Sequence, residues 1–578
     1  MSDIEAKGPS GTASAESLPS CYEGPSEQVG KWQNFKDSFK RMDETEFDPN
    51  LSEEEKAIIA TSKAPLNRSL KSRHLQMIAI GGSIGTGLFI GSGSALRTGG
   101  PASLLISYFL VGTIIYCVMQ ALAELAVTFP VSGAFSAHAS RFVDASWAFA
   151  VGWNYLILWL VVLPLELVAA SMTITYWNPG VSNAVWVAIF YVMIMFINMF
   201  GVRGYGEAEF VFSLIKVVAI IGFIILGVVL ICGGGPSDDG YIGGRYWQHP
   251  GAFHSGFKGL CTVFVTALYS LAGTELVGLA SAETKENPRK VLPKAIKQVF
   301  WRIILFYFVC LLILGLLVPY DDPRLIGSSS VDATASPFVI AIKNGGIKAL
   351  PSIINVVILI AVLSVGNASV YGASRTIASL AAQNMAPSIF AYIDRSGRPI
   401  MGIIAQGVVG LLCFLAASPK QNEVFAWLMA LCGMSTLFTW TSICICHLRF
   451  RAAIKAQGRT TDELAYTANT GVIGSYYSIA FLTFVLCAQF WVSVWPIGAK
   501  PSAVVFFQNY VSILVILVFY LGHKIWTRNW KLLIPLADID LNSGRREMDL
   551  ELIKQEMAEE RAALAARPKY MRILKLWC

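Results

Sequence analysis

Glu275 lies in VFVTALYSLAGTELVGLASAE (Val263–Glu283), an apolar run long enough to cross a bilayer, at the small-residue interruption SLAGTE. A carboxyl group in the membrane interior is costly, and where one occurs it marks a proton or substrate pathway. Lys216, in EFVFSLIKVVAIIG, and Glu166, in VVLPLELVAAS, have similar settings. Lys216 either occupies an interior cation position or snorkels to the cytosolic interface on its long stem. Glu166 follows Pro164 by two residues. A proline frees one helix carbonyl and can bend the chain, so Glu166 either faces a substrate route or bonds across helices. Glu275, Lys216 and Glu166 are the expected proton-coupling groups, Glu275 first, although it could instead only brace the interruption. Glu124, in QALAELAVTFP, lies near the cytosolic end of its run and reads as part of an inner gate. His138, in the short element that follows, is a lone histidine whose expected role is structural, a pH-sensitive gate group being the alternative.

A second interruption occurs in MIAIGGSIGTGLFIGSG (Met77–Gly93), which carries six glycines. Glycine in a helix interior costs about 1 kcal/mol relative to alanine. An unwound stretch in lipid leaves polar backbone groups unpaired unless it faces protein, water or ligand. A helix that begins after a gap presents N–H donors and a partial positive charge, which suit a carboxylate. A helix that ends before a gap presents bare carbonyls, which suit an ammonium group. Two gaps side by side would therefore grip a zwitterion. Gly85, Thr86 and Gly87 are expected to cradle its carboxylate, with the Thr86 hydroxyl as a further donor. Carbonyls near Ser83, Leu271 and Ala272 are expected to hold its amino group. Gly273 lets the backbone come close, and Tyr269 is the candidate gating aromatic. The alternative is that the glycines serve only close helix packing.

These groups need membrane-spanning helices to position them. The 578 residues are 54% hydrophobic and only 14% charged. Runs of about 20 apolar residues recur, each able to cross a hydrocarbon core of about 30 Å. They predict an all-α polytopic membrane protein with twelve transmembrane helices, near 77–97, 102–127, 147–176, 184–201, 208–232, 258–282, 299–318, 350–383, 400–417, 423–447, 478–495 and 503–526. Interruptions in the first and sixth runs, five runs apart, predict a 5+5 inverted repeat with two discontinuous helices, plus two additional helices. The expected divisions are a cytosolic tail at 1–75, repeats at 76–232 and 258–447, the added pair at 478–526 and a cytosolic tail at 527–578 with an amphipathic helix. Basic residues place both termini in the cytosol: Lys63, Arg68, Lys71 and Arg73 precede the first run. Lys285, Arg289, Lys290, Lys294, Lys297 and Arg302 were grouped with the connection between runs six and seven, and Arg449, Arg451, Lys455 and Arg459 follow run ten. The cysteines show no disulfide or zinc spacing. No nucleophile motif, metal cluster or phosphate loop is visible. The expectation is therefore a chain that is not an enzyme, has no cofactor and binds no nucleic acid.

The segments GGSIGTGLFIGSG, FPVSGAF, LAGTELVGLASAETKENPRKVLPKAI and VLSVGNASVYGASRTIASLA resemble the signatures of the fungal amino-acid permeases. These belong to the amino acid–polyamine–organocation superfamily. The resemblance runs from about Leu70 to the end. PFVIAIKNGGIKALPSIINVVILIAVLSVGN and LKLWC are most similar to the general amino-acid permeases. The resemblance implies proton-coupled import of L-amino acids at the plasma membrane by alternating access, with amino acids, protons and membrane lipids as partners. It implies that Lys216 fills the place of the sodium ion in sodium-coupled cousins. It also implies endosomal trafficking and ubiquitin-ligase machinery acting on the tails, Lys7 being one acceptor by position. Cys578 is a candidate for palmitoylation. Leu271 stands where the family often has phenylalanine. Narrow specificity, such as for cationic amino acids, and an amino-acid sensor on the same scaffold are the alternatives.

Overall fold

The computed structural model describes residues 69–545 except 83, 132, 178–179, 237–239, 286–287, 327–335, 418–420 and 499, together with 33, 36–42, 56, 555, 559, 562, 566 and 568. Ser83, Lys7, Cys578 and most of the expected C-terminal amphipathic helix lie outside the described residues.

The described residues form helices, with two isolated β-bridges and no strand. Nine of these helical stretches are long and apolar enough to cross a membrane, and Asn183–Met199 and Ile400–Leu415 are shorter apolar helices. The first half of the first run is α1 (Ser72–Gly81). A gap follows, then a wide turn of helix at Gly87–Gly91 that leads into α2 (Ser92–Thr128). Within α2 the backbone leaves helical geometry at Gly100 (φ 81°, ψ 170°). Pro101 follows, with its φ already fixed for a first helical turn and no N–H to leave unpaired. This stretch is thus two helices meeting at a bend. The amphipathic α3 (Ala134–Phe142) precedes α4 (Ala145–Ile174), whose first turn is capped by the Asp144 carboxylate accepting from Trp147 N. Next come α5 (Asn183–Met199) and α6 (Gly201–Ile231).

The sixth run is split into α7 (Gly256–Leu271) and α8 (Leu276–Ser281). Ala272 takes an extended ψ of 154° and Gly273 a φ of 85°. The latter lies in the left-handed region that glycine enters without steric cost. Then follow α9 (Pro288–Arg302), α10 (Cys310–Leu317), α11 (Pro337–Asn344), α12 (Leu350–Ala382), α13 (Ile400–Gly410), α14 (Gln421–Ala456), α15 (Gly471–Val494) and α16 (Ala503–Thr527).

Helices α4 and α12 pack along their length, as do α2 and α7, and α1 lies against α6. The core is one apolar cluster that includes Leu88, Phe89, Leu163, Leu271 and Tyr371. Outer faces of α5, α6 and α16 expose residues such as Val192, Val218 and Val518. Lipid solvates such surfaces as well as protein does. On one end of the bundle the chain after α16 folds back. Ile539 and Leu541 are buried beside Phe129, Phe142 and Phe450, and Gln457 Nε2 donates to Ile539 O at 2.7 Å. Leu70 pairs with the chain after α8, its N–H donating to Glu283 O and its carbonyl accepting from Lys285 N.

Candidate functional site

Proline cannot donate a backbone hydrogen bond, so Pro164 leaves the carbonyl of Leu160, four residues back, without its helical partner. The Gln406 side-chain amide lies against this place, donating to Trp159 O at 3.3 Å and Leu160 O at 3.4 Å. This repaired stretch of α4 carries Glu166 to the junction of the two gaps. Thr86, in the first gap, donates its hydroxyl to Glu166 Oε2. Tyr269, in the last turn of α7, donates its hydroxyl to Glu166 Oε1 at 3.0 Å. One carboxylate therefore takes a hydroxyl from each interrupted helix. Together they line a cavity with Gly85, Gly87 and Ala272. The rest of its wall is apolar or aromatic: Leu158, Trp159, Val162 and Val365.

The gaps touch. A Cβ added to Gly87 would lie 2.5 Å from Ser270 Cα, so only hydrogen fits between the two backbones. Ser270 is fixed from the other side by Tyr108 and Tyr307. The Tyr108 hydroxyl pairs with Ser270 Oγ at 2.7 Å, and the Tyr307 hydroxyl donates to Ser270 O at 2.7 Å.

Several expected positions look different in three dimensions. The terminal carbonyls of α1 are occupied by protein cations. Lys216 Nζ donates to Gly81 O at 2.8 Å and to Ser364 Oγ at 2.7 Å, and lies 3.6 Å from Glu209. It is fully buried, so it does not snorkel. Arg302, grouped with a loop by its basic neighbours, is also buried, and its Nη1 donates to Ala79 O at 2.7 Å. The Leu271 carbonyl, expected to face the amino group, accepts the Thr274 hydroxyl at 2.6 Å. The Thr86 hydroxyl is committed to Glu166, so it is not free to donate to a bound carboxylate. Glu275 is fully buried and is not part of the cavity wall. Its carboxylate accepts from Gly273 N at 3.2 Å and Trp440 Nε1 at 3.3 Å. This geometry is that of a brace across the second gap.

Glu124 forms its own cluster with α14 and the segment beyond it. It accepts from Arg451 Nη2 at 2.7 Å and Ala468 N at 2.6 Å, and His447 Nε2 lies 3.2 Å away. His138 is buried in α3, outside the spans, and burial with Arg141 nearby pushes its ring down to about 3. Sequence reading missed Trp159, Trp440, Glu209, Ser364 and the interior place of Arg302. Glu209 did leave a signal, because it precedes Lys216 by seven residues, two helical turns, and so shares its face.

A family profile described as "Amino acid permease" matches residues 74–536. Among curated proteins, the general amino-acid permease GAP2 of Candida albicans is 63% identical over 547 residues, covering 94% of this chain and 93% of its own length. The general amino-acid permease GAP1 of Saccharomyces cerevisiae is 59% identical over 555 residues, with 95% and 92% covered. The histidine permease of the same yeast is 51% identical, with 89% and 86% covered. These relatives are permeases rather than enzymes, and the chain belongs to the amino acid permease family.

Proposed function

We propose that this protein is a proton-coupled symporter that imports L-amino acids of broad side-chain range across the plasma membrane by alternating access. The reading takes the helices as twelve spans, a 5+5 inverted repeat with two spans added, and places both termini in the cytosol. The observation that carries it is the meeting of two helix gaps around one cavity, with Glu166 bonded to a hydroxyl from each.

The substrate carboxylate sits at the Gly85–Gly87 end of the cavity, at the start of the second half of the first helix, where helix N-termini favour negative charge. The ammonium group sits at the Ala272 end, beside the C-terminus of α7, where the helix dipole is negative. Glu166 lies between. An ionised Glu166 repels the incoming carboxylate, and a protonated one does not. Proton and amino acid therefore bind together, which is the requirement for symport. Glu275 holds the second gap in shape. Lys216 and Glu209 form a buried pair behind the first gap, supplying the positive charge that would otherwise call for a metal cation. Glu124 belongs to the inner gate.

Breadth follows from which part of the substrate is gripped. Backbone atoms of the gaps recognise the zwitterion shared by all amino acids, and Leu158, Trp159, Val162 and Val365 offer the side chain an apolar wall with no ionic partner. The names of the two relatives at 63% and 59% identity, both general amino-acid permeases, support the same reading. A narrow specificity is the second reading, favoured by the histidine and tryptophan permeases at 51% identity. Regulation by ubiquitination of tail lysines such as Lys7, palmitoylation at Cys578 and endosomal trafficking complete the proposal.

The test is uptake of labelled amino acids in permease-deficient cells, with a competition panel, a protonophore and sodium replacement. The reading expects accumulation of several unlike amino acids, collapsed by the protonophore and indifferent to sodium. Uptake that follows sodium, or no accumulation at all, overturns it.

A further inference from the structure

Arg302 ends α9 inside the bundle, 1% exposed. The ion pairs among the described residues do not include it; its partners are dipoles. Nη1 donates to Ala79 O, near the C-terminal end of α1. Nη2 donates to Thr274 Oγ1, in the gap between α7 and α8. The Thr274 hydroxyl passes its own proton to Leu271 O, the last carbonyl of α7, at 2.6 Å. One guanidinium thus spans the end of the first interrupted helix and the middle of the second interruption.

A buried cation without a carboxylate partner is expensive to keep. A helix C-terminus repays part of that cost, because its unpaired carbonyls carry a partial negative charge. Lysine would serve as a point charge, whereas arginine offers a rigid fork whose two arms can hold two acceptors at a set separation. Here one arm is on each helix. Lys216 holds the neighbouring carbonyl, Gly81 O, from the opposite side, tying α1 to α6 and α12 through Ser364. The two cations divide the task, and only Arg302 links the gaps to each other.

We propose that Arg302 is a positioning residue for the amino-acid site: it sets the distance between the first and second gaps, acting through Thr274. This deepens the two-gap reading above and rests on it. The two gaps hold the two ends of the zwitterion, so changing their separation weakens recognition of the shared backbone moiety. The loss is then the same for every amino acid, whatever its side chain.

The test is initial-rate uptake of one small, one aromatic and one cationic amino acid by wild type, Arg302→Gln, Arg302→Lys, Thr274→Val and the Arg302→Gln/Thr274→Val double variant. Rates are normalised to the amount of each protein at the cell surface. Misplacement by about 1 Å can cost on the order of 100-fold in a preorganised site. Arg302→Gln is expected to raise KM at least about tenfold, equally for all three substrates, with a smaller change in maximal rate. Arg302→Lys should restore part of the affinity. Thr274→Val should show a milder uniform rise, and the double variant should be no worse than Arg302→Gln alone, because both act through one link. An unchanged KM, or a change confined to one substrate, overturns the proposal. If Arg302→Gln does not reach the surface, Arg302→Lys and Thr274→Val decide it, and normal KM values in both overturn it. If wild type takes up none of the three amino acids, the two-gap reading fails and this inference falls with it.

Discussion

Glu166 is the residue on which two interrupted helices and one continuous helix converge. Replacing it with glutamine keeps the size and the hydrogen-bonding capacity but removes the titration. Glu166→Gln is expected to reduce accumulation to the level of protonophore-treated wild type while retaining exchange of internal for external amino acid. Wild-type accumulation by that variant would remove Glu166 from the coupling role. His138 gives the opposite kind of prediction. Burial pushes its pKa down to about 3, below its ordinary 6.5, so the ring stays neutral through the physiological range. A base with a lowered folded pKa destabilises the fold as pH drops through its unfolded value, by about 1.4 kcal/mol per pH unit at most. His138→Gln should leave the pH profile of uptake unchanged between pH 5 and 8 and soften acid unfolding below about pH 6. A shifted uptake profile would make His138 a pH sensor after all. The types of these residues were visible in the sequence, but their partners were not. Glu275 meets Trp440 across 165 positions and Arg302 meets Ala79 across 223. No local period encodes such contacts, which is why Glu275 read as a free titrating group and Arg302 as part of a basic loop.

At the scale of elements, the interruptions were legible because glycine, serine and threonine in a long apolar run contradict helix propensity. What could not be read was which groups would satisfy the gaps. The terminal carbonyls of α1 read as free for a ligand, yet Lys216 and Arg302 occupy them. The close approach of the gaps makes a steric prediction. A methyl at Gly87 would meet the Ser270 backbone, which cannot swing aside as a flexible side chain could. Overpacking of this kind costs about 1–3 kcal/mol. At Gly273 the left-handed φ of 85° disfavours any side chain, by roughly 1–2 kcal/mol. Gly87→Ala and Gly273→Ala should each lower the unfolding temperature of purified protein and abolish uptake. Gly222→Ala, in α6, is the control, because nothing lies within 4 Å of a Cβ there. It should leave both measurements unchanged. Normal uptake by Gly87→Ala would mean that the gaps need not touch.

At the scale of the whole molecule, hydropathy made the membrane class plain, and nine long apolar stretches with two shorter ones follow the predicted runs closely. The first two runs are one continuous stretch, Gly87–Thr128, bent at Gly100, because glycine and proline together allow a reversal without a loop. Repeat symmetry and sidedness rest on the matched gaps and on the distribution of lysine and arginine. Electrostatics at this scale predicts the ion dependence. With Lys216 bonded at the first gap, replacing external sodium with choline should change uptake by less than about twofold, while a protonophore should collapse accumulation. The measurement that bears most directly on the central claim is a cryo-EM structure with a bound amino acid. The expected result is the ligand carboxylate within hydrogen-bonding distance of the Gly85–Gly87 backbone and its ammonium group beside Ala272, between two interrupted helices. A ligand bound away from Glu166, or unbroken helical hydrogen bonding through either gap, would contradict the account.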